Sequence, residues 1–110
     1  MNVLAIIPAR GGSKGIPGKN IKKINGKSLL YYTINASLKS KYISKTIVST
    51  DDIKIAREAK KNGSEVINRP KNLANDKAQI EPVMTHVLKK LKKNESYIPD
   101  IIILLQNTSP

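Results

Sequence analysis

Val3-Leu4-Ala5-Ile6-Ile7 runs directly into Pro8-Ala9-Arg10-Gly11-Gly12-Ser13-Lys14-Gly15-Ile16-Pro17-Gly18-Lys19-Asn20. A continuous apolar run of this length reads as a strand buried on both faces, the kind found inside parallel sheets. A loop rich in glycine, lysine and proline begins at Pro8 and extends to about Asn25. Beyond it, Ser28 is placed to cap a helix whose Leu30, Ile34 and Leu38 recur at a spacing of four.

The same alternation continues along the chain. Thr46-Ile47-Val48-Ser49-Thr50 is a short β-branched strand. Asp51-Asp52 follow as capping residues for a helix carrying Ile55, Ala56 and Ala59, closed by Asn62-Gly63. Glu65-Val66-Ile67 reads as a weaker strand. Gln79 to about Lys93 is the clearest helix, with Ile80, Val83, Met84, Val87, Leu88 and Leu91 on one stripe and Pro82 tolerated in its first turn. Ile101-Ile102-Ile103-Leu104-Leu105 is a last, wholly apolar strand. The order βαβαβαβ predicts an α/β fold, a parallel sheet covered by helices on both faces with right-handed crossovers. Ligands of such sheets bind beyond the carboxyl ends of the strands. Here those ends open at Pro8, Thr50, Asn68 and Gln106.

Composition narrows the function. The 110 residues hold 20 Lys+Arg against 8 Asp+Glu, a formal net charge of +12. The absence of cysteine excludes a disulfide scaffold, a Cys-based zinc site and a thiol nucleophile. Trp and Phe are also absent, so the core rests on aliphatics, chiefly the 16 isoleucines. No apolar run approaches the roughly 20 residues of a membrane span, and Pro8 cuts short anything resembling a signal peptide. A soluble, cytoplasmic protein is the expectation. The positive charge comes from 17 Lys and only 3 Arg. The pairs Lys22-Lys23, Lys60-Lys61, Lys89-Lys90 and Lys92-Lys93 fall where solvated helix faces or turns are expected. Nucleic-acid faces cluster their charge and add Arg and aromatics. The lysines therefore read mainly as surface, with a field that favours a small anion.

The loop after the first strand carries the chemistry. Its glycines let backbone N–H groups turn toward an anion, while Arg10 offers a bidentate fork and Lys14 and Lys19 offer point charges. The cluster suits a triphosphate and would stabilise departing pyrophosphate. A Walker loop has four residues between its first Gly and its Gly-Lys, followed by Ser or Thr. From Gly12 to Gly18 there are five, and Asn20 follows Lys19. The dinucleotide pattern G-x-G-x-x-G finds no register either. The blander alternative is a basic loop without a ligand.

The segment Ile7–Asn20 resembles the signature of the acylneuraminate cytidylyltransferases, or CMP-sialic acid synthetases, whose bacterial relatives activate legionaminic or pseudaminic acid. Three further blocks agree in order: Ile47-Val48-Ser49-Thr50-Asp51, then Asn68-Arg69-Pro70 with Leu73-Ala74-Asn75-Asp76, then Leu104-Leu105-Gln106 with Thr108-Ser109-Pro110. The related deoxyoctulosonate cytidylyltransferases lack the Gly-Gly-Ser-Lys run and fit less well. The resemblance implies a Rossmann-like nucleotidyltransferase fold of the nucleotide-diphospho-sugar transferase type. It also implies transfer of CMP from CTP to a nonulosonic acid, with pyrophosphate released and Mg²⁺ balancing the phosphate charge.

Carried over by position, Arg10 and Lys19 are the expected catalytic groups. Gly11, Gly12, Ser13, Lys14, Asn20 and Arg69 are the expected nucleotide or phosphate contacts, and Gln106 a sugar-acid contact. Arg69 read plainly is a surface arginine before a turn, and Gln106 a polar strand cap. Two departures stand out. Asn107 replaces the family's usual proline, and Lys77-Ala78-Gln79-Ile80 replace small hydroxyl residues near the base.

Family members are longer, and their later half supplies metal-binding aspartates, much of the sugar pocket and a dimerisation element. Residues 1–110 are accordingly expected to be the N-terminal, CTP-binding part of one cytidylyltransferase domain. No metal ligand is expected in this chain, little turnover from it alone, and a homodimer for the complete enzyme. Asp51 and Asp52 read as helix caps rather than metal ligands, and His86 as a surface or structural residue rather than a general base. The readings from other classes are a basic, non-catalytic module binding nucleic acid or another polyanion, and a related transferase using another nucleotide.

Overall fold

The computed structural model describes residues 1–9, 23–24, 27–70 and 80–105. Within them the chain runs β1 (Val3–Pro8), β2 (Lys23–Ile24), β3 (Lys27–Ser28), α1 (Leu29–Lys39), β4 (Lys45–Thr50), α2 (Ile53–Lys61), β5 (Glu65–Asn68), α3 (Ile80–Glu95) and β6 (Ile101–Leu104). Four strands form one sheet in the order β5-β4-β1-β6, and every pair in it is parallel. The alternation expected from the sequence is the architecture found. One addition is the short antiparallel pair β2-β3 between the first strand and the first helix.

Burial explains why the strands are apolar throughout. Leu4 and Ile6 face α3, packing with Ile47, Val87 and Leu91. Ile7 faces α1 and α2 with Leu30, Ile34, Val48, Ile55 and Ala59. Both faces of β1 and β4 are thus removed from water, and alternation has no role there. β6 is equally apolar but, among the described residues, forms the edge of the sheet, so Ile101 is exposed and its next three residues are only half-buried.

The helices begin and end where the capping chemistry says they should. The Ser28 hydroxyl accepts from Tyr31 N–H at 2.9 Å to cap α1, and donates to Glu58 Oε2 on α2 at 2.9 Å. Asp52 Oδ1 caps α2, accepting from Lys54 N–H at 2.7 Å and Ile55 N–H at 3.2 Å. That helix closes with Gly63 at φ +94°. Gly63 N–H donates to the Lys60 carbonyl and Ser64 N–H to the Ala59 carbonyl, the two bonds of a Schellman turn. A Cβ on Gly63 would meet Leu38 Cδ1 at 3.2 Å.

One helix face differs from the expected spacing. Leu38 is about half exposed, whereas Ser37 is buried and its hydroxyl lies 2.7 Å from that of Thr46 on β4. At 100° per residue, the seventh position after Leu30 returns to its face and the eighth overshoots. Ser37 faces the sheet for that reason, and a strand hydroxyl opposite makes it tolerable there.

At the amino end of the sheet Lys45 joins three elements. Its Nζ donates to Glu65 Oε2 on β5 and to Glu95 Oε1 on α3, each at 2.9 Å, and lies 5.3 Å from the centre of the Tyr97 ring. The lysine pairs 60-61, 89-90 and 92-93 are exposed, as a solvated surface requires. No helix among the described residues is long and apolar enough to cross a membrane.

Candidate functional site

Because all four strands of the main sheet are parallel, their carboxyl ends lie on one rim. Hydrogen bonds continue the ladders past the strand ends there. Ala9 N–H donates to the Ser49 carbonyl at 2.9 Å, Arg69 N–H to the Thr50 carbonyl at 2.7 Å, and Leu105 N–H to the Ile6 carbonyl at 2.9 Å. Ala9, Arg69 and Leu105 are thereby fixed along the rim, each anchored on a neighbouring strand.

Arg69 is the described residue with the most telling environment. It is 8% exposed, unusual for an arginine, whose charge is costly to remove from water unless it is hydrogen-bonded. Its Nε donates to the Ser49 hydroxyl at 3.3 Å and its Nη2 to the Ser49 carbonyl at 3.1 Å. Ser49 and the next residue, Thr50, are both fully buried. The Thr50 hydroxyl accepts from Asp52 N–H at 3.1 Å and so steadies the turn into α2. The plain reading of Arg69 as a surface arginine is therefore corrected: it lies under the rim, held by a strand.

His86, on α3, belongs to the same neighbourhood. It is half-buried, and its Nδ1 is buried with no hydrogen-bond partner among the described residues. Burial lowers the imidazole below its ordinary 6.5, and the charges of Lys90 and Arg69 lower it further. The ring is therefore neutral at pH 7, and the field of Arg69 reaches it. No motif surrounds this histidine, and its proximity to Arg69 follows only from the packing of α3 across the sheet.

Asp51 and Asp52 sit at the end of β4. Asp52 is engaged as the cap of α2, as expected. Among the described residues no group of three His, Asp or Glu side chains is placed to hold a metal ion. These residues do not by themselves fit the magnesium that the resemblance implies.

Of the sequence-predicted site, Arg69 lies within the described residues, whereas Arg10, Gly11, Gly12, Ser13, Lys14, Lys19, Asn20 and Gln106 lie outside them. Their described chain neighbours, Ala9 before Arg10 and Leu105 before Gln106, are both on the rim that holds Arg69. Sequence reasoning named Ser49 within a motif but gave it no role. The available signal was a serine closing a β-branched run, where strand propensity alone favours another residue.

The sequence profile of the family described as Cytidylyltransferase matches residues 4–110. The chain belongs to the cytidylyltransferase family. This cytidylyltransferase chain is 42% identical over 108 residues to the N-acylneuraminate cytidylyltransferase of Escherichia coli, a match covering 98% of the chain and 25% of that protein. It is 40% identical over 111 residues to the CMP-N,N'-diacetyllegionaminic acid synthase of Legionella pneumophila, covering all of this chain and 47% of that one. Among solved structures it is similar to CMP:2-keto-3-deoxy-manno-octonic acid synthetase complexed with CTP. That likeness has a TM-score of 0.79 at 26% identity, over 97% of this chain and 40% of that one. The cytidylyltransferase chain thus spans a quarter to a half of the length of these relatives. The nucleotidyltransferase fold and the family expected from the sequence both hold.

Proposed function

We propose that this chain is the CTP-binding part of an enzyme that transfers CMP from CTP to the anomeric hydroxyl of a nonulosonic acid of the sialic, legionaminic or pseudaminic type. The observation carrying the reading is the shared rim. Ala9, which leads into the Gly-rich cationic segment, and Arg69 both hydrogen-bond to the same Ser49 carbonyl. In the proposed reaction the sugar hydroxyl oxygen attacks the α-phosphorus, its proton is lost, and the bond to the pyrophosphate oxygen breaks.

Arg10, Lys14 and Lys19, with the amides of Gly11 and Gly12, neutralise the polyphosphate, and Arg10 and Lys19 stabilise charge on the departing group. Ser13, Asn20 and Arg69 contact the nucleotide, and Gln106 the sugar acid. Mg²⁺, which would balance phosphate charge, is held by residues other than those described. On its own the chain binds CTP and turns over little; the complete enzyme is a homodimer.

Isothermal titration of the chain with CTP and Mg²⁺, compared with Arg10→Ala, tests this. Removing a charge-assisted contact to phosphate is expected to weaken binding about ten- to hundredfold. Equal heats from both proteins would remove the phosphate-loop assignment. Steeply salt-dependent binding to any duplex, with no preference for CTP, would favour the polyanion reading instead.

A further inference from the structure

We propose that Ser49 is a positioning residue for nucleotide binding, its hydroxyl and carbonyl together setting the orientation of the Arg69 guanidinium. The inference rests on the reading of Arg69 as a nucleotide contact. Ser49 lies on β4, an interior strand of the sheet, in register with Pro8 of β1 on one side and Ile67 of β5 on the other. It is fully buried beside Ile47 and Val48. A hydroxyl at such a place is costly unless hydrogen-bonded, and an apolar β-branched residue would serve the strand better. Local rules of this kind are broken where a site needs them broken.

The two bonds to Arg69 differ in what they fix. Nε–H and one Nη2 hydrogen lie on one edge of the planar guanidinium, and both are directed at Ser49, at 3.3 and 3.1 Å. Two donors on one edge, meeting two oxygens of one residue, determine the plane of the group as well as its position. The remaining three N–H donors, on Nη1 and Nη2, lie away from that edge for partners other than Ser49. The Ser49 carbonyl also accepts from Ala9 N–H at 2.9 Å, so the residue before Arg10 and the guanidinium of Arg69 share one acceptor. Removal of the hydroxyl leaves the carbonyl bond and takes away one of the two bonds that fix the plane of the group on that edge.

The test uses the 110-residue chain and Ser49→Ala, Ser49→Thr, Arg69→Ala and the double variant S49A/R69A. CTP affinity is read by titration calorimetry. Orientation is read from the Arg69 Nε–H resonance in ¹⁵N NMR. Ser49→Ala is expected to shift that resonance, speed its exchange with water and weaken CTP binding about three- to tenfold. Ser49→Thr, which keeps a hydroxyl on a β-branched residue, is expected to restore both. In the Arg69→Ala background the serine substitution is expected to change affinity no further. Arg69→Lys keeps the charge but lacks the two-donor edge; it reads the same geometry from the other partner, should Ser49→Ala fold poorly, and is expected to bind as weakly as Ser49→Ala. Wild-type affinity in Ser49→Ala with weakened binding in Arg69→Ala would overturn the positioning role and leave the nucleotide role of Arg69 standing. Wild-type affinity in Arg69→Ala would overturn the reading beneath it.

Discussion

Ser37 and Thr46 form a two-hydroxyl contact inside the α1–β4 interface, and its deletion should be strongly non-additive. Ser37 is 2% exposed and Thr46 5%, with their oxygens 2.7 Å apart. Ser37→Ala leaves the Thr46 hydroxyl buried without that partner, at a cost of about 1–3 kcal/mol. Thr46→Val keeps the shape of the strand residue and strands the serine instead. A helical serine can bond back to the carbonyl four residues earlier, here that of Thr33, so this change should cost less, about 1 kcal/mol. In the double variant both hydroxyls are gone and the interface is apolar on both sides. Its cost should be below about 1 kcal/mol, helped by alanine's better helix propensity. The coupling energy is then about 1–4 kcal/mol in favour of the pair, well outside the roughly 0.5 kcal/mol within which independent sites add. Urea and thermal melts followed by circular dichroism measure it, since about 1 kcal/mol shifts the midpoint by roughly 4–8 °C in a domain of this size. Costs that simply add, or a double variant less stable than Ser37→Ala, would show that the hydroxyl contact contributes nothing and that the argument from the helix face is wrong.

Two further outcomes test the electrostatics. Lys45→Met should destabilise the chain by only about 1 kcal/mol, because Glu65 and Glu95 are half exposed and regain water when the cation goes. Burial lowers the Lys45 pKa, but the hydrogen bonds of Glu65 and Glu95 outweigh it and the net shift is upward from 10.5. The stability difference between wild type and variant should therefore be constant from neutral pH up to that value and shrink as pH rises through the folded pKa; a difference that grows in alkali contradicts the pairing. His86 shifts the opposite way, downward from 6.5, through burial first and then Lys90 and Arg69. The unfolded chain binds that proton more readily, so stability should fall as pH drops below 6.5 through the lower folded value, and His86→Gln should flatten this part of the curve. Equal slopes for both proteins between about pH 6.5 and 5, above most carboxylate titrations, would exclude His86 as the source.

Much of the fold was legible because its strands carry an unusual signal. Val3–Ile7 and Ile101–Leu105 are apolar without alternation, which only a sheet covered on both faces explains, and the helical stripes between them fix the order. The sequence misplaced one side chain for a physical reason. Spacing by four selected Leu38, but the turn of the helix brings Ser37 to the sheet, and only the opposing Thr46 hydroxyl on another element makes that serine acceptable. The last strand is apolar throughout although, among the described residues, it lies at the sheet edge and is half exposed. For the proposed site, the glycines and cations of residues 10–20 stand out by residue type alone. Ser49 and His86 did not, since each is defined by what another element brings to it.

That division follows from how a parallel sheet builds a site. Each strand contributes one short segment at its carboxyl end, and segments far apart in sequence become neighbours only through register. Pro8 opposes Ser49, and Ser49 opposes Ile67, so the residues one or two steps further on, Ala9 and Arg69, both come within reach of the Ser49 carbonyl. A one-residue slip of β5 against β4 would turn its side chains to the opposite face and carry Arg69 away from Ser49. The position of the buried cation is thus set by strand pairing, and Ser49 holds one edge of its guanidinium. On the proposed reading of Arg69 as a nucleotide contact, a guanidinium already held in place reduces the ordering cost of binding. A motif scan finds Arg69 because its residue type is telling. What holds one edge of its guanidinium lies twenty positions earlier, in a serine brought within reach by the pairing of β4 with β5.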